Sequence, residues 1–265
     1  MLSKSGTVHE SLKMEQIQPV TPYRRMCKAR WVLSGSVTWR LCCVFFAASA
    51  VNSFAHAGEL SGIATLTSQY IYRGLASSDG NPALQAGLDF DSDSGFFVGA
   101  WASSIDLPSP DGDRDIELDY YAGYELASDK PVSVSLSLVR YSYPGSRADR
   151  SYDYTEALLS MSLHKRYSIE FGYSDDVYGR DAIGRHVDLR ADWPMQSAWV
   201  VNAGVGLNDL KDLGASRYLY WDVGASARYS RLTIDLRWYD NEEPGDYFAY
   251  LSAGSQFVVS LSASF

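Results

Sequence analysis

Cysteine is nearly missing from this 265-residue chain: Cys27, Cys42 and Cys43 are its three, and all fall within the first 57 residues. From Gly58 onward this excludes a disulfide framework, a thiolate metal site and a cysteine nucleophile. Histidine is almost as scarce, with only His164 and His186 beyond Ala57, so Ser–His hydrolytic chemistry has few bases to draw on. No apolar run is long enough to cross a bilayer as a helix; Leu41 to Val51 is too short. Arg24, Arg25, Lys28, Arg30 and Arg40 precede that run, which ends near Ala55-His56-Ala57, the layout of a secretory signal. We expect residues 1–57 to be an N-terminal extension plus a cleaved signal peptide, with Met26 as an alternative start, and Gly58 to Phe265 to be the mature domain. Arg40 spoils a lipoprotein reading of Cys42 and Cys43, and the surroundings of Arg24-Arg25 do not support twin-arginine export. Basic charge is also in deficit. The presegment holds seven of the 23 Lys+Arg and two of the 32 Asp+Glu, leaving 16 and 30, a net of −14. That balance excludes a nucleic-acid partner, which needs a basic patch.

What remains is rich in aromatics, with five Trp, 18 Tyr and seven Phe after Ala57, and it alternates. In Asp115 to Leu126, Ile116, Leu118, Tyr120, Ala122, Tyr124 and Leu126 share one parity, and Glu117, Asp119, Tyr121, Gly123 and Glu125 share the other. A period of two gathers each set on one face of a strand. About twelve such segments follow one another, beginning with Glu59 to Arg73 and Pro82 to Asp91. Their connections are short and long in strict alternation, and the segments themselves run to roughly 9–13 residues, against the ~9–11 a tilted strand needs to cross a bilayer. A soluble sandwich has no reason to sort its loops by length, whereas an outer-membrane barrel has short periplasmic turns and long outer loops. The fold class expected is all-β: a transmembrane antiparallel up-and-down β-barrel of about twelve strands, with outer-membrane lipid against its oily face. Phe265, closing an alternating last segment, resembles the signal read by barrel-assembly machinery.

Parity then assigns the interior. The inward set is Asp89, Glu117, Asp119, Tyr121, Glu125, Glu156, Glu170, Asp188, Asp192, Asp222 and Asp235, against Arg73, Arg190, Arg228 and Arg237. Carboxylates in such excess attract cations, so a narrow pore for small polar solutes, cationic or neutral, is favoured over a lumen plugged by salt bridges. With Tyr229 to Arg231 as the turn, a register pairing Ala227 with Leu232 also pairs Asp222 with Arg237; a two-residue slip keeps the faces and loses that pair. Inward glycines, among them Gly87, Gly123, Gly172 and Gly206, call for aromatics such as Tyr121 lying over them. Trp101 fits either face, and Asp240 to Gln256 reads as a large loop or a hairpin end. Gly204-Val-Gly206 lies within a strand and is no nucleotide loop. Asp111, Asp113 and Asp115 lack the glycine and terminal glutamate of a calcium loop. No cofactor and no catalytic residue is expected, and His186 is the better of two weak candidates for a hydrolase base.

Motifs in order carry a family resemblance: Ser68-x-Tyr70-x-x-Arg73-Gly74, Asn81-Pro82-Ala83-x-Gln85-x-Gly87, Gly95-Phe96-Phe97-x-Gly99-x-Trp101-x-Ser103, Glu117-Leu118-Asp119-x-Tyr121-Ala122-Gly123-Tyr124, Tyr141-x-Tyr143-Pro144-Gly145 and Tyr154-x-Glu156. Together they resemble the TorF family of proteobacterial porin-like proteins, with Leu75-Ala76-Ser77-Ser78 replacing the family's polar stretch after Arg-Gly. The resemblance implies an outer-membrane barrel and a pore. A structural or adhesive barrel with a plugged lumen is the alternative, and a lipid-modifying hydrolase the weaker one.

Overall fold

The computed structural model describes residues 58–107, 114–126, 131–145, 151–195, 198–215, 217–242, 244–245, 248, 251 and 254–265. The presegment with its three cysteines, the Asp111 and Asp113 pair and the turn at 127–130 lie outside the described residues.

Among the described residues fourteen strands form in chain order: β1 Gly58–Thr67, β2 Ile71–Tyr72, β3 Leu75–Ala76, β4 Ala83–Ser92, β5 Phe96–Leu107, β6 Arg114–Glu125, β7 Val132–Ser142, β8 Tyr154–Leu163, β9 Tyr167–Ser174, β10 Gly184–Pro194, β11 Trp199–Asp209, β12 Arg217–Tyr229, β13 Leu232–Asn241 and β14 Gln256–Ser264. All but β2 and β3 close into one antiparallel barrel of twelve, each strand beside its chain neighbour and β14 beside β1. Closure abolishes exposed strand edges. The seam is sealed by the end of the chain, where Gly62 and Phe265 exchange backbone bonds of 2.9 and 3.0 Å.

Alternation sets the two surfaces. On β7, Leu136 and Leu138 are each 58% exposed while Ser135 and Ser137 between them are buried. Phe96, Tyr124, Tyr167, Trp193, Trp199, Tyr229 and Phe265 are exposed too, and each lies at the strand ends next to the short turns. They form a belt at one rim of the apolar band, the arrangement of aromatic girdles in membrane barrels. Trp101 falls inside: it is buried, with Phe97 and Ile105 on the same parity.

Two expectations are corrected. The first segment does not run as one strand to Arg73. β1 stops at Thr67, and Tyr70, Ile71, Tyr72, Leu75 and Ala76 are all buried. A stretch apolar on both parities cannot lie in a wall that needs a polar inner face, so it leaves the wall and folds into the lumen. The second correction is the register of β12 and β13. Ser230-Arg231 makes a two-residue turn, with Ser230 at φ 56, and Tyr229 pairs with Leu232. Asp222 therefore stands opposite Tyr239 and Gly224 opposite Arg237, the two-residue slip. The faces are kept, and Arg237 still donates to Asp222 along the diagonal, a reach long side chains manage in antiparallel sheets. Between β13 and β14, Phe248 and Leu251 are buried in the lumen cluster.

Candidate functional site

The site begins with Tyr72-Arg73-Gly74-Leu75. Tyr72 pairs with Leu75 and Ile71 with Ala76, so Arg73 and Gly74 are the two tip residues of a hairpin. Both have positive φ, 48° and 78°, the conformation of the tight turn that matches strand twist. Glycine at the second position also allows close approach, since a Cβ there would lie 2.9 Å from Cβ of Tyr220. The hairpin enters from the long-loop end between β1 and β4 and crosses to the opposite wall. At its tip, Arg73 donates from Nη1 and Nη2 to the two Glu156 oxygens on β8, at 3.1 and 2.7 Å. Nη2 also lies 3.1 Å from Nε2 of His186 on β10. Asn241 of β13 donates to the Gly74 carbonyl at 2.5 Å, and the Tyr72 hydroxyl donates to that of Tyr141 at 3.0 Å. Four regions of wall thus hold the tip.

Two clusters of buried charge lie below it. In the first, His186 has Nδ1 3.2 Å from Glu156, and Nε2 3.5 Å from Glu170 and 3.6 Å from Asp188. In the second, Asp222 accepts from Arg190 at 3.0 Å and from Arg237, which also reaches Asp235 at 3.2 Å and Asn202 at 2.7 Å. Above them runs an aromatic ladder. Tyr141 and Tyr154 stack at 4.5 Å, Tyr154 meets Tyr178 of the short 3-10 turn Val177–Gly179 edge-on at 5.1 Å, and Tyr178 meets Phe248 at 5.7 Å.

The other residues singled out by parity fall as follows. Glu117 is buried and accepts from the Tyr143 hydroxyl at 2.8 Å. Asp119 is wholly buried, and neither carboxylate oxygen has a hydrogen-bond partner among the described residues. Tyr121 donates to Asp89. Glu125 and Asp192 sit near the short-turn rim, and Arg228 is tied there to Ser230 at 2.9 Å and Ser264 at 3.3 Å. Arg73 departs from its expected place: it is in the lumen, but on the inserted hairpin and not on a wall strand. Parity had the information to find Tyr141, which shares the serine face of β7. Nothing local to the sequence pointed to Tyr70, Tyr72 or the centrality of His186. That histidine's partners among the described residues are Arg73, Glu156, Glu170 and Asp188, and none is a serine.

The closed antiparallel barrel is similar in fold to solved porins. A KdgM porin matches with 10% identity and a TM-score of 0.51, over 77% of this chain and 99% of its own. A NanC porin matches with 10% identity and a TM-score of 0.51, over 78% and 99%. At that identity the likeness concerns the fold alone. The chain belongs to the family described as "Bacterial protein of unknown function (Gcw_chp)", whose model matches residues 52–265. No curated protein matches it.

Proposed function

We propose that the protein is an outer-membrane channel for small polar solutes, cationic or neutral, in which the hairpin tipped by Arg73 forms the constriction. It reaches that membrane as an exported chain and is folded there by the assembly machinery through the last strand and the Phe265 that follows it. The observation that carries this reading is the hairpin itself. Its paired part is two residues on each side, and Arg73 holds it across the lumen to Glu156 and His186. The apolar outer face and its aromatic rim support a membrane setting, and the excess of wall carboxylates supports a preference for cations. The TorF resemblance of the motifs points the same way. In planar bilayers the protein should give small, cation-biased current steps, and replacing Ile71 to Ala76 by a short Gly/Ser linker should enlarge them. Absence of steps from both forms would end the channel reading.

The aromatic ladder over the hairpin favours one other function, a structural barrel with a sealed lumen. The same recordings separate the two: a sealed barrel is silent as wild type and conducts only when the hairpin is removed.

A further inference from the structure

Three ligand atoms converge on the lumen wall. One ligand atom from each of His186, Glu170 and Asp188 lies within 4.8 Å of the other two, and Nε2 of the imidazole is 3.5 Å from Oε1 of Glu170 and 3.6 Å from Oδ2 of Asp188. Strand pairing makes this site: Glu170 on β9 stands directly across from Asp188 on β10, and His186 is two residues along the same face. Ligands bound at ~2.0–2.2 Å around a tetrahedral ion are spaced about 3.4 Å apart, close to the two distances from the imidazole nitrogen to the carboxylates.

The second atom of each group is held by an outer partner. Ser160 donates to Oε2 of Glu170 at 2.6 Å, and the Tyr220 hydroxyl donates to Oδ1 of Asp188 at 2.5 Å. Nδ1 of His186 faces Oε1 of Glu156 at 3.2 Å. Among the described residues Nδ1 meets only this carboxylate, whereas Nε2 meets the Arg73 guanidinium at 3.1 Å and the two carboxylates farther off, so with the proton on Nδ1 the Nε2 lone pair is turned toward Arg73. Metal-binding histidines are typically oriented in this way, with the far N–H on a carboxylate. The cation that now reaches Nε2 is Arg73, with Nη2 at 3.1 Å.

The geometry points to a divalent-cation site on the lumen wall, with His186 Nε2, Glu170 Oε1 and Asp188 Oδ2 as ligands and Arg73 as the competing cation. One imidazole and two carboxylates suit a first-row divalent ion such as zinc, and they suit the softer copper(I) poorly. Because the ion and the guanidinium seek the same lone pair, occupancy removes one of the contacts that hold the hairpin tip, that of Arg73 with His186. That consequence rests on the channel reading, whereas the binding does not.

The test measures Zn2+ binding to the protein extracted from membranes in detergent, by competition with a fluorescent chelator, with heat-dependent gel mobility as the check of folding. One tight site is expected. His186→Gln should abolish it, and Ser160→Ala, which leaves every ligand in place, should weaken it ~10-fold, the low end for loss of an outer partner. Arg73→Gln should tighten it, a change no merely structural role for the cluster produces. Failure to bind below ~100 µM, a site surviving in folded His186→Gln, or an affinity unmoved in Arg73→Gln would each overturn the assignment. Conductance is not read at all, so a silent channel would leave this result standing.

Discussion

Gly172 stands directly across the β9–β10 ladder from His186, and a Cβ added to it would overlap the imidazole ring. The same relation recurs at Gly99 beneath Tyr121, Gly123 beneath Phe97 and Gly206 beneath Tyr220. Large lumen side chains lie over cross-strand glycines because a narrow barrel has no other room for them. Gly172→Ala should therefore push His186 away from Glu156 and destabilise the barrel by about 1–3 kcal/mol, the usual cost of overpacking. Urea unfolding in detergent checks this, and unchanged stability would contradict it.

Arg73 and Glu156 form a buried ion pair, 7% and 2% exposed. Removing one partner leaves the other buried and uncompensated, at a cost of ~3–5 kcal/mol. Arg73→Met and Glu156→Gln should each be severe, and the double variant should lose much less than their sum. Additive losses would mean that the two do not act as a pair.

Asp222 serves two arginines and is buried, while Asp235, which serves Arg237, is 17% exposed. Asp222→Asn should be the more damaging of the two substitutions in the same unfolding experiment. Equal effects would place the weight of the cluster elsewhere than on Asp222.

Glu117 meets a tyrosine hydroxyl, and Asp119 has no hydrogen-bond partner among the described residues. In the proposed channel, Glu117→Gln combined with Asp119→Asn should lower cation preference, seen as a shift of reversal potential in a salt gradient. An unmoved potential would remove both residues from the conducting path.

Leu138 faces outward in mid-strand, two residues from Arg140, which lies near the strand end and pairs with Asp153 at 3.5 Å. In a lipid-embedded barrel Leu138→Arg should cost ~2–4 kcal/mol, the penalty for a cation near the bilayer midplane. A neutral substitution there would argue against lipid contact.

Parity was enough to sort the wall. Glu117, Asp119, Glu156 and Asp222 all lie inward as alternation requires, and Leu136 and Leu138 lie outward. It failed where the chain obeys no period. Tyr70 to Ala76 has apolar residues on both parities around Arg73, and only its enclosure by twelve strands shows that it belongs in the lumen. Register failed for a related reason, since a slip of two residues leaves every face unchanged and gives the sequence nothing to object to.

The sequence by itself determined a twelve-stranded barrel, its oily exterior and its acidic interior, because side-chain alternation is a local property of each strand and loop length reports on which end a strand reverses. Only the tertiary structure decided what fills that interior. Arg73, Glu156 and His186 are separated by up to 113 residues, and each becomes a neighbour of the others through barrel closure and the inward fold of one short hairpin. Contacts of that range depend on the shape of the whole enclosure, which no window of the sequence contains.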